Sequence, residues 1–229
     1  MDRIAKAFVW AVVAAGVASN GAAFELALEA ELANEIAAPM VIGVPGDGAD
    51  QGGPGVNEPS NGAWVWAPGP PVLGDAIDHK GHVSFVVEIP KDDTYYIWGS
   101  VIAWDGNSDS YWVTVTPADD DPNPQASQDT FYRWGVQQGP AWHWDRVNQW
   151  LNAGTFDREW ELPAGEAVVT VWTREAATML DAIWITDSEG AGQGELPTDA
   201  DREAQLKGGP KPVEPEGKVA TTWAGLKAR

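Results

Sequence analysis

The sequence predicts an all-β protein, an antiparallel two-sheet β-sandwich of jelly-roll-like form, over residues 24 to 187. Short runs in which apolar and polar residues alternate recur along this stretch, as expected of strands with one buried face. Gly, Pro, Asn and Asp punctuate these runs at short intervals, and signals for long helices are weak. Strands of five to seven residues joined by tight turns are typical of two packed antiparallel sheets.

The alternation defines the strands one after another. In the first run Phe24, Leu26 and Leu28 share one face, because residues two apart in a strand point the same way. The later predicted strands cover residues 82–89, 95–102, 110–116, 168–174 and 180–186. Two long Gly/Pro-rich loops, 43–59 and 67–80, interrupt the pattern. Loops of this length on a rigid sandwich usually carry binding residues.

The N-terminus has the pattern of a secretory signal peptide over residues 1 to 23. Arg3 and Lys6 precede an apolar run that begins at Ala7 and is too short to span a membrane. Small residues follow, and they predict cleavage after Ala22 or Ala23. The alternative interpretation is a buried N-terminal helix. We therefore expect a secreted or periplasmic protein without a membrane span.

Composition narrows the classes of partner. The chain has 34 acidic and 14 basic residues, a formal net charge of −20, and no cysteine. Such a charge disfavours nucleic acid and anionic lipid as partners, and suits a neutral ligand or a cation such as calcium. The absence of cysteine excludes disulfides, thiolate metal sites and thiol nucleophiles.

The composition changes after Asp187. Gly, Pro, Glu and Lys dominate residues 188–229, which predicts a flexible tail. Within the tail, residues 219–227 contain Trp223 and Leu226 and could dock on the sandwich domain itself or on a partner protein, of the cell envelope or exported. A frayed chain end explains the same residues equally well.

Tryptophan is the outstanding feature of the composition, with 14 residues in the chain. A sandwich core can bury several, but twelve of them fall between Trp64 and Trp184, so some should remain partly exposed. A flat indole can stack on the C–H face of a sugar ring, while neighbouring carboxylates and amides accept hydrogen bonds from its hydroxyl groups. The tryptophans therefore favour a glycan as ligand.

The best candidate platform is Trp142 and Trp144, which would lie on one face of a strand about 7 Å apart. The tryptophans Trp104, Trp134 and Trp150 lie in or near loop-like sequence and could flank this platform. The alternative interpretation places Trp142 and Trp144 in the core. Further candidates for contact with a sugar are Asn107, Asp109, Trp112 and Arg174. A polar turn at residues 105–109 and an internal salt link at Arg174 are the alternatives for these.

Four segments, in the right order over residues 24 to 187, resemble strand motifs of one known group of proteins. They are the opening Leu28-Glu29-Ala30-Glu31, the central run from Asp92 to Val101, the Leu162–Glu166 turn with the Val-rich strand after it, and the closing run from Leu180 to Ile185. The ordered set is similar to the family 6 and family 35 carbohydrate-binding modules of bacterial exported proteins. In two places the pattern departs, since Ser100 and Asp93 stand where those families often have Arg and Gly.

The resemblance implies a β-sandwich stabilised by a structural calcium ion. Carried over to the matching positions, the calcium ligands would be Glu29, Glu31 and Asp181. Several hard oxygen ligands are what calcium prefers. A pair of solvated surface carboxylates is the alternative interpretation of Glu29 and Glu31.

The sequence offers little support for catalysis. The three histidines show no metal-ligand spacing, and no nucleophile-elbow, P-loop or dinucleotide-binding motif is present. We therefore predict a non-catalytic protein that binds a polysaccharide or other glycan. The alternatives are a structural or assembly module that binds a protein partner, and a glycan-active enzyme with a sandwich fold.

Overall fold

The computed structural model describes residues 23–48, 58–69 and 81–208. Several predicted features lie outside these ranges: nearly all of the signal peptide, much of the two long loops, and residues 209–229 with the docking segment 219–227. Among the described residues, none of the helices combines the length and apolar character needed to cross a membrane.

The described strands, in chain order, are β1 (Glu25–Glu29), β2 (Glu35–Ala37), β3 (Val41–Gly43), β4 (Pro45–Gly48), β5 (Trp64–Trp66), β6 (His82–Ile89), β7 (Asp93–Ala103), β8 (Ser110–Thr116), β9 (Arg133–Gly135), β10 (Gly139–Arg146), β11 (Asn148–Leu151), β12 (Gly154–Asp157), β13 (Trp160–Leu162), β14 (Gly165–Thr173) and β15 (Met179–Thr186). The α-helices are α1 (Pro124–Ser127) and α2 (Asp199–Gly208). Short 3-10 turns occupy Ala30–Leu32, Ser60–Gly62 and Thr130–Tyr132.

Two antiparallel sheets form the body of the protein, which confirms the predicted all-β sandwich. One sheet has seven strands in the order β10-β7-β15-β5-β3, with β1 paired to β15 and β13 paired to β7. The other has five strands in the order β2-β6-β14-β8-β9. The hairpin of β11 and β12 forms a small separate sheet.

The core lies between the two sheets and follows the alternation of the sequence. In β6 the side chains of Val83, Phe85, Val87 and Ile89 are buried, and Pro90 follows the strand. They meet residues such as Ile97, Val101 and Ile183 from the seven-stranded sheet. Each fully buried side chain of this size stabilises the fold by roughly 1.5–3 kcal/mol.

The other side of the seven-stranded sheet, which we call the outer face, carries many of the tryptophans. Trp98 pairs with Trp184 across β7 and β15, and Trp66 pairs with Met179 across β5 and β15. Trp144 pairs with Ser100, and Trp142 lies two residues before it on the same side. Because paired residues share a face, these rings lie on the same side of the sheet.

The segment 188–208 differs from the flexible tail that the sequence predicted. Gly194 lies directly on the Trp144 ring, so closely that a Cβ at this position would come 2.7 Å from it. Farther along, α2 packs against β1. The helix has little apolar periodicity, and polar contacts from Arg202 and Gln205 hold it in place. Hydrophobic patterning therefore could not reveal it.

Candidate functional site

Loops from several strands meet at one end of the sandwich. The β7–β8 connection (residues 104–109), the β9–β10 connection (136–138) and the β14–β15 connection (174–178) converge there. Glu175 ties two of them together, because its Oε2 accepts hydrogen bonds from the backbone N–H of Asp109 at 3.0 Å and the hydroxyl of Ser110 at 2.6 Å. Arg174 bonds both Ser110 and Glu175, so this ionic network fixes the loop end.

Asp109 is the polar side chain best placed for a ligand at this end. It is buried, and its Oδ2 accepts a hydrogen bond from Nε2 of Gln138 at 2.9 Å. Its Oδ1 is also buried and has no hydrogen-bond partner. An unpaired buried acceptor costs roughly 1–3 kcal/mol, an energy that any donor able to reach this oxygen would recover.

A cavity of about 310 Å³, the loop-end pocket, lies beside Asp109. Its lining comprises Asp109, Gly135, Val136, Gln137, Asp145, Asn148, Trp150 and Thr155. These residues supply one aromatic ring, two carboxylates and several amide or hydroxyl groups. The pocket is open to solvent, and its volume is at the lower end of the usual range for small-molecule sites.

The Trp150 ring is held firmly against β9. The Arg133 guanidinium lies 4.3 Å from the centre of the ring and donates two hydrogen bonds to the Trp150 carbonyl. Gly135 lies beneath the same ring, where a Cβ would come 3.0 Å from it. Arg133 and Gly135 are two residues apart in the strand and therefore support the indole from one side.

Asp145 forms the opposite part of the lining and is already paired. Its Oδ1 accepts from the Trp134 indole N–H at 2.9 Å, and its Oδ2 accepts from the backbone N–H of Gln137 at 2.8 Å. Burial raises the pKa of Asp145, and burial also raises the pKa of Glu175 behind the pocket. Asp145 thus organises the β9–β10 connection, whereas Asp109 has the free acceptor.

Two of the predicted sugar-stacking tryptophans are core residues instead. Trp134 is 0% exposed and Trp112 is 2% exposed. Trp134 packs between the sheets, and its ring leaves no room for a side chain at Gly99. An indole without exposed surface cannot stack on a ligand, so the structure corrects the assignment of both residues.

Trp142 and Trp144, the predicted platform, lie on the outer face and are partly covered. Both side chains are half-buried. Trp142 packs at 6.1 Å from Trp64, and Trp104 joins the same aromatic cluster. Gly194 covers part of Trp144. The structure thus brings Trp104 and Trp142 together, away from the residues that line the loop-end pocket.

Asn107 and Arg174 fit their alternative interpretations. The backbone N–H of Asn107 donates to Oδ1 of Asp105 at 2.8 Å, which is an Asx turn with the Asn107 side chain exposed. Arg174 forms the internal salt link with Glu175, although its guanidinium remains partly exposed at the loop end.

A second constellation, the carboxylate cluster of Glu29, Glu31 and Asp181, lies where β1 meets β15. Glu29 ends β1, and Glu31 lies in the 3-10 turn that follows. Asp181 lies in β15 between Leu180 and Ala182, which pair with consecutive residues of β7, so Asp181 is the additional residue of a β-bulge. Glu29 and Asp181 are 0% and 1% exposed. The alternative of solvated surface carboxylates therefore does not describe Glu29.

The donor chemistry of the carboxylate cluster fits a hard cation. One oxygen of each group, Oε2 of Glu29, Oε2 of Glu31 and Oδ1 of Asp181, is buried without a partner. Burial, with a contribution from the neighbouring carboxylates, raises the pKa of Glu31 to about 7 and that of Asp181 to about 8. As they stand, however, no three Asp, Glu or His side chains in the described parts of the chain are gathered closely enough to hold an ion.

Sequence reasoning missed several of these residues. Gln137 and Gln138 carried no signal beyond their place in a turn, and Arg202 lies 173 residues from its partner Glu29. The sequence predicts Trp150 only as a ring that flanks the platform. Its place in or near loop-like sequence does not show which way its indole points.

Comparison with known proteins finds solved structures of similar fold at low sequence identity. No family model matches the chain, and no curated protein matches it by sequence. A family 35 carbohydrate-binding module from Clostridium thermocellum is 13% identical with a TM-score of 0.46, and the alignment covers 71% of this chain and 97% of that one. The C-terminal family 6 module of a Zobellia galactanivorans laminarinase is 14% identical with a TM-score of 0.43, covering 71% and 99%.

Some of the similar structures are enzymes of which this chain spans a minor part. The GH26-CBM35 β-(1,4)-mannanase of Podospora anserina is 14% identical with a TM-score of 0.45, and the alignment covers 73% of this chain but 28% of the mannanase. A ruminal mannanase is covered to 32%. The solved structures that this chain resembles thus include carbohydrate-binding modules of families 6 and 35, the two families to which its ordered strand motifs are similar.

Proposed function

We propose that this protein is a non-catalytic glycan-binding module whose ligand occupies the loop-end pocket. The observation that carries the proposal is that Asp109, whose Oδ1 has no hydrogen-bond partner, lines the same open pocket as the half-buried Trp150 ring. A sugar ring could stack on the indole while one of its hydroxyl groups donates to Asp109. Gln137 and Thr155 supply further polar groups along the lining.

Contacts within the protein hold the residues of the proposed site in position. Arg133 and Gly135 fix the Trp150 ring, and Gln138 and Glu175 fix the position of Asp109. Such preorganisation lowers the entropy lost on binding and supports a binding role. Trp104, Trp142 and Trp144 belong to the outer face, and we propose no sugar contact for them while the segment 188–208 lies there.

The test begins with a glycan array to choose an oligosaccharide, followed by titration calorimetry on variants. We expect Trp150→Ala and Asp109→Asn each to weaken binding at least about tenfold, because a central aromatic ring or a buried polar contact often contributes more than 1.4 kcal/mol. Trp172→Ala is the matched control, since Trp172 is a half-buried tryptophan of the five-stranded sheet. Thermal unfolding of each variant checks that the fold persists.

Unchanged affinity in both pocket variants, with the wild-type protein binding the same oligosaccharide, would place the ligand elsewhere. Release of reducing ends from the oligosaccharide would favour the glycan-active enzyme instead. The absence of binding across the array would count against the module itself.

We also propose that the carboxylate cluster takes a structural calcium ion, with Glu29, Glu31 and Asp181 as its protein ligands. The three buried oxygens without partners support this, since calcium neutralises neighbouring carboxylates and prefers oxygen donors.

Export to the periplasm or beyond is a further proposal, and it rests on the signal-peptide pattern of residues 1–23.

A further inference from the structure

The carboxylate cluster has a cationic neighbour supplied by the chain itself. Arg202 of α2 donates from Nε to Oε1 of Glu29 at 2.6 Å and from Nη2 to the hydroxyl of Ser60 at 3.0 Å. The same Ser60 hydroxyl donates to Oε1 of Glu29 at 2.7 Å. A guanidinium from α2 therefore already neutralises part of the charge at this site.

A second side chain of α2, Gln205, forms hydrogen bonds with the backbone of Glu29. Gln205 accepts a hydrogen bond from the backbone N–H of Glu29 at 2.9 Å and donates to its carbonyl oxygen at 2.8 Å. Gln205 is the one residue of α2 that is buried. The helix is thus held by polar contacts centred on Glu29 and by little apolar area, so its release would cost far less than global unfolding.

Arg202 already engages one of the three carboxylates, which as they stand are not gathered closely enough to hold an ion. Arg202 occupies Oε1 of Glu29, while Oε2 of Glu29 and Oδ1 of Asp181 remain buried and unpaired. A divalent cation drawn to those two oxygens would stand close to a guanidinium of like charge. Repulsion between the two cations is strong in a partly buried site, where the effective dielectric constant is low.

We propose that Arg202 and a divalent cation are alternative partners of Glu29, so that α2 docks on the sandwich when the cluster holds no ion and leaves it when the ion binds. This inference rests on the proposed calcium site. Docked α2 then acts as a tethered competitor that lowers the affinity of the cluster for calcium. By linkage, calcium must weaken the docking of α2 by the same factor.

Calorimetric titration of the full chain with calcium chloride tests the first half of the linkage. We expect Arg202→Met, which keeps much of the apolar stem and removes the charge, to bind calcium about tenfold more tightly than the wild type. Lys207→Met is the matched control, because Lys207 is an exposed cation of the same helix that pairs with Glu203. Asp181→Asn in the Arg202→Met background should abolish the gain.

Hydrogen exchange of the full chain tests the other half without any reference to glycan binding. Saturating calcium should speed exchange of the amides of residues 199–208 in the wild type, while the amides of β6 stay protected. Equal calcium affinity in Arg202→Met and wild type, or exchange in α2 that slows on calcium addition, would overturn the competition but leave the calcium site in place. If neither protein binds calcium while both remain folded, the calcium site fails and the competition fails with it.

Discussion

At the scale of single residues, buried charge is the feature with the largest energetic consequences. Arg158 is 6% exposed, and its guanidinium pairs with Asp119 at 2.6 Å and donates to the Val113 carbonyl at 2.8 Å. It also lies 4.6 Å from the centre of the Trp160 ring. A charge so enclosed is tolerated only because every partner is in place.

Removing the Arg158 guanidinium should therefore destabilise the folded protein. We expect Arg158→Met to lower the free energy of unfolding by about 3–5 kcal/mol, because Asp119 is left as a buried carboxylate without its counter-charge. Urea denaturation measures the loss. The double variant with Asp119→Asn should recover part of it, whereas a double variant no more stable than the single one would show that the packing of the Arg158 stem is what matters.

At the scale of elements, the segment 188–208 determines how much of the Trp-rich outer face meets solvent. Gly194 fits against Trp144 only because it lacks a side chain, and α2 continues the cover toward β1. Trp144, one of the tryptophans in excess of the core, is partly covered in this way. Six of the twelve described tryptophans stay half-buried: Trp98, Trp104, Trp142 and Trp144 belong to the outer face, whereas Trp150 and Trp172 lie elsewhere.

A substitution at Gly194 tests the contact between this residue and the Trp144 ring. We expect Gly194→Val to displace the segment from Trp144, because a Cβ would meet the indole at 2.7 Å, and the Trp emission to shift to longer wavelength. Gly192→Val is the control, since a Cβ there meets open space. The melting temperature of both variants should change little, because the segment lies outside the core. A red shift of equal size in the two variants would contradict the assignment.

At the scale of the whole molecule, the charge of the chain bears on which glycans the proposed site would accept. The net charge is −20, and two carboxylates, but no Lys or Arg of the described residues, line the loop-end pocket. We expect a neutral oligosaccharide to bind more tightly than a uronate-containing one of equal length at low salt. The difference should shrink at about 0.5 M NaCl, because salt screens exposed charges. Calorimetry on the two ligands measures it, and tighter binding of the uronate would point to a cationic subsite.

The sequence by itself determined the sandwich. Strand alternation has a period of two, so the inward residues of β6 and β7 are visible without any partner, and the turn residues mark where those strands end. It also determined that the protein holds more tryptophan than a core accepts, and it named Asp109 and the three residues of the carboxylate cluster. These features are local in the chain or belong to ordered motifs.

Only the tertiary structure decided what each of these residues faces. Trp134 and Trp150 both lie in loop-like sequence, yet Trp134 packs between the sheets while Trp150 rests on Gly135 and lines a pocket. Glu29 meets Arg202 across 173 positions of the chain. Exposure and charge pairing depend on elements that are distant in sequence and adjacent in space, and local patterning carries no information about that adjacency.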